Sequence, residues 1–243
     1  MVKRLFDIVV ALILLVIFTP FLIIFGFLIW KQDFYSPFYV APRVGKNETT
    51  FNMIKFRSMV LNADKSGVDS TSANDSRITP LGSFIRKYKI DELPNFFNIL
   101  KGEMSFVGPR PNVKRETDLY TSKEKQLLTV CPGITDFSSI VFSDEGDILK
   151  SSSDPDLDYN QLIRPWKSRL GILYIKHKSI LLDIKLILLT VTSIISRQKA
   201  LKSINRILLK LSADEKLIEI VKRESTLLPY PPPGTDIIVS SRD

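Results

Sequence analysis

The stretch from Leu5 to Trp30 is almost wholly apolar, and it limits where the rest of the chain can reside. As a helix rising about 1.5 Å per residue, its roughly 26 residues could cross a hydrocarbon core of about 30 Å. Three details complicate a simple crossing. Thr19-Pro20 sits past the middle; proline lacks an N–H and clashes with the preceding turn, so the helix is expected to bend or break there. Lys3 and Arg4 precede the stretch, while Lys31, Arg43 and Lys46 follow it. Positive charge on both flanks fits a re-entrant helix, entering and leaving on one face, better than one with a distinct inside and outside. Asp7 falls in the first turns, a costly place for a charge unless it stays near the interface. An ordinary single span is the main alternative. A signal peptide fits less well, because Ala41-Pro42-Arg43 comes late and no small-residue cleavage site directly follows the apolar stretch. A buried core helix is the last option.

The 243 residues suit one domain of ordinary size plus appendages. A net charge of +8 fits nucleic acid, anionic lipid or a polyphosphate substrate. No nucleic-acid signature accompanies it, so no nucleic-acid partner is expected. The lone Cys131 excludes an internal disulfide framework and suits a reducing compartment. With a single His in the chain and Pro132-Gly133 beside it, Cys131 reads as a turn or buried thiol, not a nucleophile.

Beyond the apolar stretch, residues 34–44 read as an extended linker punctuated by Pro37 and Pro42, and Phe51 to Met59 as a strand. Residues 62–76 are polar and read as a mobile loop. Short helices are expected over 81–88 and 91–100, the second stopping at Lys101-Gly102, and a polar helix over 116–128. A strand is expected around 134–142, an acidic surface loop over 143–158, and helix over 164–197. The apolar portion 180–195 carries Asp183 and Lys185; it is either core or an interfacial helix. An amphipathic basic helix over 201–224 precedes a proline-rich tail, Pro229 to Gly234, expected to be unfolded. The elements sum to an α+β class, mostly helical, with a few short strands. They divide into an anchor (1–33), a central domain (34–197) and a basic helix with its tail (198–243).

Chemistry concentrates between Ile90 and Pro111. Asp91 and Glu92 precede Pro94, a residue best tolerated in a helix's first turn, which makes Asp91 a natural N-cap. Backbone N–H groups at a helix start attract anions. Capping and dipole compensation are therefore the common role of such a pair, and that role stands open. The alternative is that one carboxylate attacks while its neighbour binds a hard divalent cation. Gly108-Pro109-Arg110-Pro111 fixes a guanidinium, the planar two-toothed binder of phosphate oxygens. Lys55, Arg57 and Arg86 add cations upstream, although basic residues near a membrane also serve anionic lipid.

Together, Asp91 to Pro94, Phe97 to Gly102 and Met104 to Pro111 resemble the hallmark of the bacterial sugar transferases known as monotopic phosphoglycosyl transferases. Arg43-x-Gly45, Phe51 and Lys55-Phe56-Arg57-Ser58-Met59 are similar to that family's strand motif, and Tyr174, Ser179 and Asp183 to its late helix. The resemblance covers about residues 3–197. It implies a compact monotopic membrane catalytic domain on the bacterial inner membrane, its active site facing the cytoplasm. Its implied substrates are a nucleoside-diphosphate sugar, with uridine the expected base, and polyprenyl (undecaprenyl) phosphate, with membrane lipid around them. In the implied two-step reaction Asp91 attacks the sugar-proximal phosphorus and polyprenyl phosphate then takes the phosphosugar, initiating a polysaccharide or glycoconjugate. Asp91 and Glu92 would be catalytic and would hold Mg²⁺, Glu92 foremost. Arg110, Arg86 and Lys55 would contact phosphates, and Asp183 would orient metal, substrate or a basic neighbour, a helix-internal salt bridge being its plain alternative. The break at Thr19-Pro20 fits the family's anchor. Oligomeric state is left open, a homodimer included.

Two departures stand out. After Pro132-Gly133-Ile134-Thr135 many members continue with a Gly-Leu-Ala-Gln-Val-Asn-Gly-Arg-like segment, but this chain has Asp136 to Gly146 and no arginine there. Lys89 replaces the small hydroxyl residue often found just before the acidic pair. These leave one rival reading, a catalytically silent anchor or assembly protein of the same fold.

Overall fold

The computed structural model describes residues 2–68 and 70–241. Helix α1 (Val2–Asp33) runs uninterrupted through Thr19 and Pro20, so the expected break is absent. Pro20 has no N–H to offer Val16, and Thr19 Oγ1 instead donates to the neighbouring carbonyl of Leu15 at 2.6 Å. It is the one helix among the described residues long and apolar enough to cross a membrane.

Both ends of α1 are fixed to the same body. At its start, Lys3 Nζ lies 2.5 Å from Asp183, Arg4 donates to the carbonyls of Ile99 and Leu100, and Asp7 accepts the Phe106 N–H at 3.2 Å. At its end Ile29 is buried with Phe56 and Ile85, and Asp33 grips Arg57 through two bonds of 2.5 and 2.6 Å. Phe18 meets Phe96 in between. A helix held along its length does not project from its domain as a simple span would. Its outer face keeps Leu12, Ile13, Val16, Ile17, Ile23 and Ile24 exposed. That surface is suited to lipid.

Strands β1 (Phe38–Val44) and β2 (Thr50–Phe56) form an antiparallel hairpin, with Phe38 opposite Phe56 and Val44 opposite Thr50. Most of the expected linker is therefore strand; Pro42 is tolerated because β1 lies at a sheet edge. Helices α2 (Pro80–Lys87) and α3 (Asn95–Lys101) follow. Asn98 of α3 completes the outer edge of β2, accepting the Ile54 N–H at 3.0 Å and donating to Asn52 O at 2.7 Å. This clasp brings α3 alongside Lys55.

Strand β3 (Ser105–Val107) pairs in parallel with β4 (Gly133–Thr135). A Cβ on Gly133 would lie 2.1 Å from the Gly108 nitrogen, so this close pairing requires glycine. Between the two strands the expected polar helix is split into α4 (Lys114–Asp118) and a tight turn, Glu124–Thr129. The strand expected over 134–142 ends at Thr135. Asp136 then caps α5 (Phe137–Val141), reciprocally with Ser139, and capping overrides the β-prone composition. The acidic segment is not a bare loop: it forms α6 (Glu145–Ile148) and α7 (Pro155–Asp158), with Leu149 fully buried.

A wide turn, Tyr159–Ile163, leads into α8 (Arg164–His177), and Ser179 caps α9 (Ile180–Ile195), so the expected long helix is two. Helix α9 packs into the core on one face and leaves an apolar face open. Leu182, Asp183 and Leu186 are buried, whereas Leu181, Leu188, Val191 and Ile195 are exposed. The basic helix is likewise two, α10 (Arg197–Lys210) and α11 (Glu215–Lys222), separated at Ser212 with φ 50°. Ala200, Leu201, Ile204, Leu208, Leu217 and Val221 join the same core as Phe106, Ile140 and Leu170. The loop over 62–76 is tethered as well, the Ala73 N–H reaching Gly146 O at 2.8 Å.

Candidate active site

Asp91 and Glu92 do not cap a helix. They occupy a tight turn, Ile90–Glu92, entered through Lys89 at φ 55°, and α3 starts only at Asn95, with Pro94 preceding it and no side-chain cap. The left-handed Lys89 turns the chain so that both carboxylates point inward, 7% and 8% exposed. This removes the capping explanation and leaves two buried acids that need another.

Their surroundings differ. Glu92 Oε1 accepts from Lys55 Nζ at 2.8 Å and Arg110 Nη2 at 2.9 Å. Burial alone would raise its pKa, but Lys55, Arg110 and Lys89 outweigh burial and hold it well below the usual carboxylate range. Its Oε2 makes no hydrogen bond among the described residues. Asp91 makes none at either oxygen. Burial pushes the Asp91 carboxyl above its ordinary value, and the charge of Glu92 adds to this, while Lys55, Arg86 and Arg110 pull the other way. Glu92 in turn raises the Arg110 guanidinium against the effect of burial. Burial lowers Lys55 and Lys89, countered first by Glu92.

Each cation is placed by its own element. Lys55 comes from β2 and Arg110 from the segment after β3, where the glycine-tight pairing fixes its start. Arg86 comes from α2, which packs so closely on Ser58 that a Cβ at Gly82 would lie 1.8 Å from the Ser58 carbonyl oxygen. Arg86 Nη1 reaches Ser58 Oγ at 3.5 Å. The structure thus gathers Lys55, Arg86, Asp91, Glu92 and Arg110. Arg57 is not among them, because Asp33 and the Ser36 carbonyl hold it at the end of α1. Asp183 does not join them either. Its oxygens take Tyr174 Oη at 2.7 Å and Lys3 Nζ at 2.5 Å, a tie across three elements rather than a bridge within its helix. Thr19 and Pro20 lie on the anchor.

Beyond Arg110 a narrow polar cleft is lined by Asn112, Asp136, Ser138, Tyr159 and Lys167. Lys167 is bonded to Glu145 and lies 5.1 Å from the Tyr159 ring centroid. Sequence reasoning did not assign these residues, nor the electrostatic part of Lys89. The segment flagged after Thr135 was the available signal, since Asp136 and Ser138 form one wall.

Such an arrangement can hold a phosphate between Arg110, Arg86 and Lys55 while leaving one carboxylate unpaired to attack it. Comparison with known proteins decides the family. The profile described as bacterial sugar transferase matches residues 1–197. The chain belongs to the bacterial sugar transferase family. Among similar sugar transferases, an uncharacterised one from Haemophilus influenzae is 34% identical, covering 82% of this chain and 42% of that protein. A UDP-N-acetylgalactosamine-undecaprenyl-phosphate N-acetylgalactosaminephosphotransferase of Aeromonas hydrophila is 31% identical over 80% of this chain and 44% of its own length. The undecaprenyl-phosphate galactose phosphotransferase of Salmonella typhimurium is 32% identical, over 82% and 41% respectively. The chain therefore spans less than half of the length of these relatives. The matched sugar transferase region includes the whole acidic pair and its cations, and it ends where α10 begins.

Proposed function

We propose that this chain transfers a sugar-1-phosphate from a UDP-sugar to undecaprenyl phosphate through a phosphosugar bound to Asp91, working at the cytoplasmic face of the bacterial inner membrane. One observation carries this reading: Asp91 is buried among cations with no hydrogen bond among the described residues, while Glu92 beside it is held by two. An unpaired carboxylate facing Lys55, Arg86 and Arg110 is built for a reaction with an anion, not for stability.

In the first step an Asp91 oxygen attacks the sugar-proximal phosphorus. The bond from that phosphorus to the bridging oxygen breaks, and uridine monophosphate leaves with the electron pair. In the second, an oxygen of undecaprenyl phosphate attacks the same phosphorus, the phosphorus–Asp91 bond breaks, and the free carboxylate returns. Arg110, Arg86 and Lys55 orient the phosphates and offset their charge, so positioning and electrostatics supply the rate. The polar cleft beyond Arg110, about 30 Å³ in volume, meets a polar edge of the donor, being too small to hold the rest of it.

Two adjacent hard carboxylates suit Mg²⁺, which is often held by one or two carboxylates plus substrate phosphates. Glu92 Oε2 and Asp91 would hold it, and it would neutralise charge developing on the phosphate oxygens. Glu92→Gln should keep membrane binding but shift half-maximal activity to at least about tenfold higher magnesium, since one charged ligand is lost. An unchanged magnesium titration would refute the ligand role.

The test of the function is a panel of UDP-galactose, UDP-glucose and UDP-N-acetylgalactosamine with purified protein and undecaprenyl phosphate. Uridine monophosphate and lipid-linked sugar phosphate should appear together with at least one donor. No release with any donor would favour the silent anchor.

A further inference from the structure

The C-terminal tail, expected to be unfolded, is seated on the catalytic unit, outside the residues that the family profile matches. Leu227 is buried. Tyr230 stacks on Trp166 with ring centroids 4.4 Å apart at 23°, and the Arg169 guanidinium lies 4.8 Å from the Tyr230 centroid and 5.4 Å from that of Trp166. The Tyr230 N–H donates to Gln161 O at 3.0 Å. Arg169 Nη1 donates to Pro231 O at 2.9 Å, and Thr121 Oγ1 to Pro233 O at 2.5 Å. Gly234, at φ 96°, passes so near Lys123 that a Cβ there would lie 2.8 Å from the lysine Cβ. Stiff prolines deliver a glycine to a place only glycine fits.

We propose that this tail is a strap that holds the donor cleft in shape, with Tyr230 its positioning residue; the proposal rests on the reading of the cleft given above. Helix α8 has two working faces. On one, Lys167 and Ser168 line the cleft, and Gly171 packs on the segment bearing Arg110, its added Cβ falling 3.7 Å from Pro109 and 2.7 Å from Leu127. On the other, Trp166 and Arg169 receive Tyr230. The helix packs tightly on Leu127 through Gly171 and is backed by the tail on the opposite side. The other ties reach the cleft as directly. Gln161 sits in the turn between Tyr159 and Arg164, and Thr121 follows Tyr120, all three neighbours being cleft residues. Ordering a tail costs conformational entropy for each residue fixed, so a strap persists only where stacking and hydrogen bonds repay it.

On this proposal the acceptor makes no use of the α8 cleft face, so loosening the strap should weaken donor binding and spare the acceptor. The experiment compares full-length protein with Tyr230→Ala and Tyr230→Phe, using the same three UDP-sugars and undecaprenyl phosphate. Tyr230→Ala should raise the donor KM at least fivefold with the acceptor KM within twofold. Tyr230→Phe should match the unaltered chain, since it keeps the ring and loses only a 3.4 Å contact with Lys216. Amide exchange over residues 159–168 should quicken in the alanine variant and not in the phenylalanine one. A donor KM unchanged in Tyr230→Ala, both KM values rising together, or kcat falling alone would overturn the proposal. If the unaltered chain turns over none of the donors, the reading of the site fails instead, and amide exchange decides the strap: unchanged protection over 159–168 overturns it.

Discussion

Asp91→Asn should abolish lipid-linked product, lowering turnover by roughly 10³-fold or more, as expected when the attacking group itself is removed. The amide is nearly isosteric and the aspartate makes no hydrogen bond among the described residues that would be lost, so the fold has little reason to suffer. Removing a buried charge among Lys55, Arg86 and Arg110 changes the local field, yet Glu92 still pairs with two of those cations. Folding is monitored by thermal melting and membrane association. Both should stay close to those of the unaltered protein while monophosphate release disappears. A variant that folds, binds membranes and turns over at a normal rate would remove Asp91 from the chemistry.

The largest stability loss should follow Glu124→Ala. Glu124 is fully buried and holds Arg164, which is 2% exposed, through two bonds of 3.1 and 2.7 Å. Ser168 Oγ and the Thr121 N–H also donate to it, and Arg164 reaches Asn160 and the Leu119 carbonyl. Four donated bonds of this network therefore converge on one carboxylate. Truncation strands a buried guanidinium with no counter-charge, which costs about 3–5 kcal/mol. For a chain of this size that lowers the melting temperature by roughly 10 °C. Activity should fall in step with the folded fraction. Because the pair anchors the start of α8 to the turn before β4, surviving protein should also bind donor less well. A melting temperature within about 1 °C of the unaltered protein would show that the network contributes little.

The grouping of the acidic pair with Arg110 was legible in the sequence because its signals are local: short spacing, a proline two residues after the pair and one on each side of the arginine, and a glycine before the loop. What local reasoning got wrong was the pair's setting. Asp91 was expected at an N-cap, whereas a left-handed Lys89 puts both acids inside, and positive φ at a lysine has no sequence signature. Residues 134–142 were expected as strand from their β-prone composition, yet the Asp136-x-x-Ser139 spacing of a reciprocal cap was present and is decisive. The tail misled for a different reason. Proline-rich composition signals disorder only when nothing receives it, and its receivers, Trp166 and Arg169, stand more than sixty residues away. At Thr19-Pro20 the opposite occurred, a strong local signal absorbed within one continuous helix.

A covalent bond between Asp91 and the sugar phosphate can be sought directly. Purified protein given a UDP-sugar labelled in the sugar, with no undecaprenyl phosphate present, should release uridine monophosphate up to one equivalent and retain the label. Rapid acid quench, proteolysis and mass spectrometry should place a hexose-phosphate mass on the peptide carrying Asp91, and adding undecaprenyl phosphate should discharge it. Monophosphate release only when the lipid acceptor is present, with no label ever held by the protein, would mean direct transfer between substrates and would contradict the account.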